Sequence, residues 1–260
     1  EELQDVYFKT MRTELIRQAD KQNVSLTVYK KAQGMDMIPQ DINGFIAVGS
    51  FSSEEIAYLE KLTKNGVFLD SSPYSDIYDA VRPDLDYITR KAVHFFQEKG
   101  HKAIGFVGGT FVNPDTHFDE MDIRERSFRD EMQQQNMLEE AHIYIRRGFS
   151  LETGYQLIDT ALKSGKKLPS AIFAASDPIA VGVLQALNEH HVRIPQDVSV
   201  LSINNISVAN YVSPPLSTYA IDMKELCQTA VSLLLEQLID KRVITKKVLL
   251  NAFLIERKST

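Results

Sequence analysis

"SAIFAASDPIAVGVLQALNEHHVRIPQDVSVLSINN", residues 170–205, holds a complete strand–helix–strand unit. The run AIFA at 171–174 is short, apolar and bounded by polar residues, which is the pattern of a strand buried on both faces. Ser176-Asp177-Pro178 interrupts it, and from Pro178 apolar residues recur at helical spacing to about His190. Proline fits the first helical position, where its missing N–H costs nothing. Asp177 then reads as the N-cap. Ser176 reads as the strand-end residue that faces outward from the sheet. A proline turn at Pro195 leads back to a second apolar strand at 198–203. Two doubly buried strands joined by a helix make a right-handed βαβ unit of a parallel sheet.

The same unit recurs along the chain. Apolar runs lie at 24–29, 44–48, 67–69, 103–107 and 143–145, and stretches of helical length lie at 54–64, 86–99, 124–136 and 151–163. This alternation predicts an α/β fold, with enough units for two lobes rather than one sheet. "VSPPLSTYAID" (212–222) is the strongest punctuation, because two consecutive prolines exclude a helix and disfavour a central strand. After it, Met223, Leu226, Cys227, Ala230, Val231, Leu234 and Leu238 mark a helix to about residue 241, and "KVLLNAFLIERKST" reads as one closing strand and a polar tail. The chain opens on a helical face, Leu3, Tyr7, Met11 and Leu15. A doubly wound sheet ordinarily opens on a strand, so a first strand is expected upstream.

Composition bounds the function. The 260 residues, 43% of them hydrophobic, suffice for two cores. A net charge of -6 makes the chain a poor unaided ligand for a polyanion, since phosphate contacts need clustered Lys and Arg. No apolar run approaches the roughly 18 residues of a membrane span, and no signal peptide opens the chain. Cys227 is the single cysteine, so no intrachain disulfide forms, which suits a reducing cytoplasm.

Catalysis finds little support. None of the six histidines pairs with another at metal-ligand spacing on a helix. "GFVGGT" lacks the Gly-Lys-Ser/Thr ending of a phosphate loop, and no serine sits in a G-x-S-x-G elbow. Catalytic residues, a metal and a cofactor are therefore not expected. Binding fares better. In an open α/β sheet, ligands sit outside the carboxyl ends of the strands. Three such ends carry unusual chemistry: Ser176 and Asp177 in "AASD", Asn204 and Asn205 in "SINN", and Phe149 in "RRGF". Short hydrogen-bonding side chains beside an aromatic plate suit a sugar, whose hydroxyls need paired donors and acceptors and whose C–H face packs on a ring. The bland alternative is that Asp177 caps a helix and the asparagines turn a loop.

Several segments in register carry a family resemblance. "DLDYITRKAVHFFQEKGHKAIGFVGG", "DIRERSF", the stretch from Ser170 to Met223 and "FLIERKST" resemble the effector-binding domain of LacI/GalR-family transcriptional repressors, from about residue 84 to the end. The opening "EELQDVYFKTMRTELI" is similar to regulators of galactoside utilisation. The resemblance implies a periplasmic-binding-protein-like fold of two Rossmann-like lobes around a sugar cleft. It places residues 1–109 and 221–242 in the first lobe and 110–220 and 243–260 in the second, with three crossovers near residues 109–111, 218–221 and 243–246. The family's helix-turn-helix would lie outside this chain and would make the operator DNA contacts. The resemblance further implies a homodimer in the cytoplasm, without membrane contact. It carries ligand-binding roles onto Arg124, Phe149, Ser176 (where the family has asparagine), Asn204 (where it has aspartate) and Tyr87, with Asp177 beside Ser176. Ser127 stands where the family has glycine. The competing reading is a periplasmic or lipoprotein sugar-binding protein of a transporter.

Overall fold

The computed structural model describes the backbone of residues 2–73 and 75–260 and the side chains from Val6 onward within those ranges. The chain begins with α1 (Glu2–Lys21), β1 (Phe45–Val48), α2 (Ser53–Leu62), β2 (Gly66–Leu69) and β3 (Asp79–Pro83). Next come α3 (Leu85–Glu98), β4 (Ile104–Val112), β5 (Asp119–Met121), α4 (Ile123–Gln134), β6 (Ile143–Arg147) and α5 (Leu151–Lys163). It ends with β7 (Ala171–Ala174), α6 (Asp177–Glu189), β8 (Ser199–Asn204), β9 (Ser217–Ala220), α7 (Met223–Leu238), β10 (Lys247–Leu250) and β11 (Phe253–Ile255).

Two sheets form. The first has the order β1-β2-β3-β10 and is parallel throughout. The second has seven strands in the order β11-β9-β8-β7-β4-β5, with β6 parallel to β4, and only β5 and β11 antiparallel. The two-lobed, largely parallel α/β architecture is the one expected. In the first lobe α1 and α7 lie side by side, burying Met11, Leu226, Cys227 and Ala230 against Val67, Leu69 and Val81 of the sheet. Leu3 of the opening helical face lies outside the described side chains.

The second lobe has the larger core, centred on Phe96, Phe106, Phe128 and Phe173. Its helices follow from apolar spacing and caps. In α3, Ile88, Ala92, Val93, Phe95 and Phe96 fall on one buried face, and the Asp84 carboxylate caps the start by accepting from the Tyr87 N–H at 3.1 Å. Helices α5 and α6 touch through glycine: a Cβ on Gly154 would overlap the Ile179 carbonyl, and one on Gly182 would overlap that of Leu151. Neither backbone can move aside cheaply, so this contact fixes two helices as one block.

Strand pairing shifts the expected lobe boundaries. All of β4 pairs inside the second sheet, and α3 packs on α4 and β7, so the chain crosses at Asp84 rather than near 109–111. The return lies at Ile221 and Asp222, between β9 and α7, close to the expectation. The closing stretch is two strands, not one. β10 pairs with β3 in the first sheet and β11 with β9 in the second, so the third crossover is Asn251 and Ala252 rather than 243–246. The Asp84 N–H bonds the Leu250 carbonyl at 2.9 Å, which ties two crossovers together.

Two further expectations fail locally, and one strand, β3, has no counterpart in the sequence reading. Residues 24–29 alternate like a strand but pair with nothing among the described residues, and β1, the edge of its sheet, has β2 as its one neighbour. A pleated segment without a partner cannot satisfy its backbone as a strand. β3 was hidden because it opens on Asp79, a fully buried carboxylate that holds Gln237 Nε2 (2.7 Å), the Lys246 N–H (2.7 Å) and Arg242. β9 starts just past Pro215 and is a central, fully buried strand; the prolines end the loop before it.

Candidate functional site

The carboxyl ends of β2 and β7 converge. Arg124 sits in the first turn of α4, whose N-cap is Asp122. Two of its nitrogens grip the Asp122 carboxylate, Nε to Oδ1 at 2.6 Å and Nη2 to Oδ2 at 2.8 Å, and Nη1 donates to the Ala175 carbonyl at 2.6 Å. A guanidinium has five N–H groups, so one remains on each terminal nitrogen. The Phe149 ring braces the group, with the guanidinium carbon 4.8 Å from its centroid. Phe149 is placed by Gly148, whose φ of 93° turns the chain out of β6, and by Ser150, which caps α5.

The first lobe faces this group with Asp70 and Tyr7. Asp70 follows β2 in a left-handed conformation (φ 64°), and one carboxylate oxygen accepts from the Tyr7 hydroxyl at 3.0 Å. No hydrogen bond joins Asp70 to Arg124, yet each charge acts on the other. Burial raises the Asp70 carboxyl to about 6, although Tyr7 and Arg124 both pull it down. Burial also disfavours the charge on Arg124, but Asp122, then Asp70, outweigh it and hold the guanidinium above its ordinary value. The Asp122 carboxyl, raised by burial, is brought below its usual value by Arg124. The Ser71 hydroxyl is buried and makes no hydrogen bond among the described residues, although such a group ordinarily finds a partner. Two free donors on one wall, a carboxylate on the other, and an aromatic ring beside them can bind a small polar ligand by several hydrogen bonds at once.

The sequence-derived residues fare unequally. Arg124 and Phe149 meet as expected, although one face of the Phe149 ring is taken by the guanidinium and not left open as a plate. The cap of α6 is Ser176 and not Asp177, so Ser176 is not the open ligand contact expected, while Asp177 keeps a structural role of another kind. Ser176 is the N-cap of α6, its Oγ accepting from the Ile179 N–H at 3.5 Å, and it is only 5% exposed. Asp177 lies one residue inside the helix and is fully buried. It accepts from the Ser202 hydroxyl (2.5 Å), the Thr218 hydroxyl (2.8 Å) and the Ile206 N–H (2.7 Å). It therefore joins β8, β9 and the turn after β8, and has no reach toward a ligand. Asn204 ends β8 half-buried with φ 116°, its side-chain amide unbonded among the described residues, while Asn205 accepts from Arg257 at 2.7 Å. Tyr87 stands apart. It is 47% exposed, and Lys91 lies between its ring and that of Tyr219. The Ser127 hydroxyl ties α4 to α3 through Asp86 at 2.6 Å.

Sequence reasoning missed Asp70 and the site role of Tyr7. The signal was present: "VFLDSS" is an apolar strand ending on an aspartate, the feature that drew attention to "AASD". A cavity of about 280 Å³ lined by Lys64, Asn65, Asp76 and Arg242 opens at the opposite, amino-terminal ends of β2 and β3, the wrong end for a ligand in this fold. No group of three metal-ligating side chains occurs among the described residues.

Comparisons with known proteins agree with this fold. Residues 93–260 match the family model of a periplasmic binding protein-like domain. The HTH-type transcriptional regulator GanR of Bacillus subtilis (strain 168) is 57% identical over the whole of this chain and 79% of its own length. LacR of Lactobacillus helveticus, also an HTH-type transcriptional regulator, is 34% identical over the whole chain and 78% of its own. Among solved structures, a LacI family transcriptional regulator from Enterococcus faecium with bound ribose superposes with a TM-score of 0.80 at 24% identity, over 98% of this chain and 94% of that one. The Lac repressor bound to ONPG gives 0.82 at 22% identity, over 97% and 77%.

Proposed function

Because this chain belongs to the LacI/GalR family of transcriptional regulators, of which it is an effector-binding domain, we propose that it binds a galactoside-type sugar between its lobes and thereby alters operator affinity in the full-length regulator. The observation that carries this reading is the pairing of unused hydrogen-bonding capacity across the cleft. Arg124 offers two N–H donors from the second lobe, and Asp70 offers acceptors from the first. A sugar hydroxyl both donates and accepts, so adjacent hydroxyls can satisfy Arg124 and Asp70 together. A ligand held by both walls binds the closed arrangement better than the open one, and only such a difference can transmit a signal. Phe149 holds the guanidinium in place, and Asn204 contributes an amide at the end of β8. Tyr87, exposed beside Lys91, takes no part in this reading.

The sugar class rests on the likeness of the opening helix to regulators of galactoside utilisation. The transporter reading is not favoured, because the relatives reported above are transcriptional regulators and not binding proteins of transporters or enzymes. Operator DNA binding, a homodimer and a cytoplasmic setting belong to the same proposal; among the described residues no helix is long and apolar enough to cross a membrane. Titration calorimetry with galactose, galactobiose and lactose tests the sugar. Binding by at least one is expected, and silence across a broad panel of mono- and disaccharides and their phosphates would overturn the assignment.

A further inference from the structure

β4 outruns its sheet. Beyond its pairing with β7, residues Thr110, Phe111 and Val112 continue as one arm of a hairpin whose other arm is β5. The tip is stiffened from within: the Asn113 side-chain oxygen accepts from the Asp115 and Thr116 N–H groups at 2.8 and 2.9 Å, and its nitrogen donates to Glu120 at 2.6 Å. Arg147, at the end of β6 just before Gly148 and Phe149, donates to Asp119 at 2.8 Å. The hairpin is thus fixed to the second lobe at the strand that carries the site. Its far end reaches the first lobe. The Asp115 carboxylate accepts from the Ser53 N–H at 2.7 Å and from the Ser53 hydroxyl at 3.0 Å. Ser53 is the first residue of α2, directly after the N-cap Ser52. Its N–H is one of those with no partner inside the helix, and a carboxylate there also meets the positive end of the helix dipole.

We infer that the hairpin from Thr110 to Met121 is a strap across the cleft mouth, and that Asp115 on the start of α2 is the latch that biases the lobes toward closure before any ligand arrives. The strap stands on observed contacts alone and does not depend on the ligand being a sugar. Its consequence is that part of the closing energy is built into the chain, so a ligand meets a cleft already weighted toward its bound form.

The test uses the unliganded chain. Spin labels on Lys61→Cys in α2 and Lys166→Cys after α5, both exposed, report the distance between lobes, while buried Cys227 stays unlabelled. Asp115→Ala removes the acceptor. Ser53→Pro removes both donors at a helical position that tolerates proline. Each is expected to raise the long-distance population about 5-fold, the size of one charge-assisted bond at an exposed helix start. The double variant should add nothing further, and each melting temperature should stay within about 3 °C of the parent. Distance distributions unchanged in both single variants would overturn the latch, as would a double variant whose effect is the product of the two.

Discussion

Asp70 and Asp177 make an instructive pair. Each follows the carboxyl end of a parallel strand, one in each lobe, and burial lifts each carboxyl to about 6. By charge state and position they are equivalent. They differ in what occupies their lone pairs. Asp177 is closed on every side and receives two hydroxyls and a backbone N–H from its own lobe. Asp70 receives one phenol hydroxyl, is half-buried and faces a guanidinium it does not bond. A perturbed pKa marks a buried carboxylate; the unfilled acceptor capacity marks the one that awaits a ligand.

The strongest test of that contrast is Asp177→Ala. It strips three donors of their acceptor in the middle of the second lobe, and unfolding in urea should show a loss of about 4 kcal/mol. Sugar affinity of the molecules that remain folded should hardly change. Asp70→Asn inverts the pattern. Affinity for whichever sugar binds in calorimetry should fall about 100-fold, because an amide accepts fewer hydroxyl protons and loses the charge, while stability should move by less than about 1 kcal/mol. A large stability loss from Asp70→Asn, or a large affinity loss from Asp177→Ala, would break the division. Arg124→Ala is a poorer probe, since it leaves the buried Asp122 carboxylate unpaired.

The smallest effect is in pH. Both carboxyls sit higher when folded than the ordinary aspartate value near 4. The folded chain therefore holds more protons than the unfolded one between about 4 and 6, and the contribution of these two groups to stability falls as pH rises through that window. Removing Asp177 as Asp177→Asn should flatten this component in urea titrations at several pH values. Ligand binding runs the other way. If the Asp70 carboxylate receives sugar hydroxyls, affinity should drop a few-fold as pH falls below about 6, and the drop should vanish in Asp70→Asn.

How much of this the sequence discloses depends on whether the deciding partner is near in the chain. The 170–205 unit was legible because strand, cap and helix are set by adjacent residues. The cap fell on Ser176 and not on Asp177 because a one-residue shift in the helix start decides which side chain caps. The three groups that hold Asp177 come from residues 202–218. β3 was illegible because its buried Asp79 is satisfied by residues more than 150 positions away. Residues 24–29 looked like a strand because alternation describes a face and says nothing of a partner. Asp70 is marked by the same feature as Asp177, an apolar strand ending on an aspartate, but nothing local tells that its acceptors stay unfilled.

The three crossovers carry a mechanical consequence. Each spans one or two residues, Asp84, Ile221 with Asp222, and Asn251 with Ala252, and two of them are tied by the Asp84–Leu250 hydrogen bond. Three short tethers side by side leave two rigid bodies with little freedom to slide, twist or separate, and concentrate what remains into rotation about one axis. Were the lobes to move, such tethers would turn a small displacement at the cleft into rotation of one lobe on the other, the motion of a lever with a single stroke.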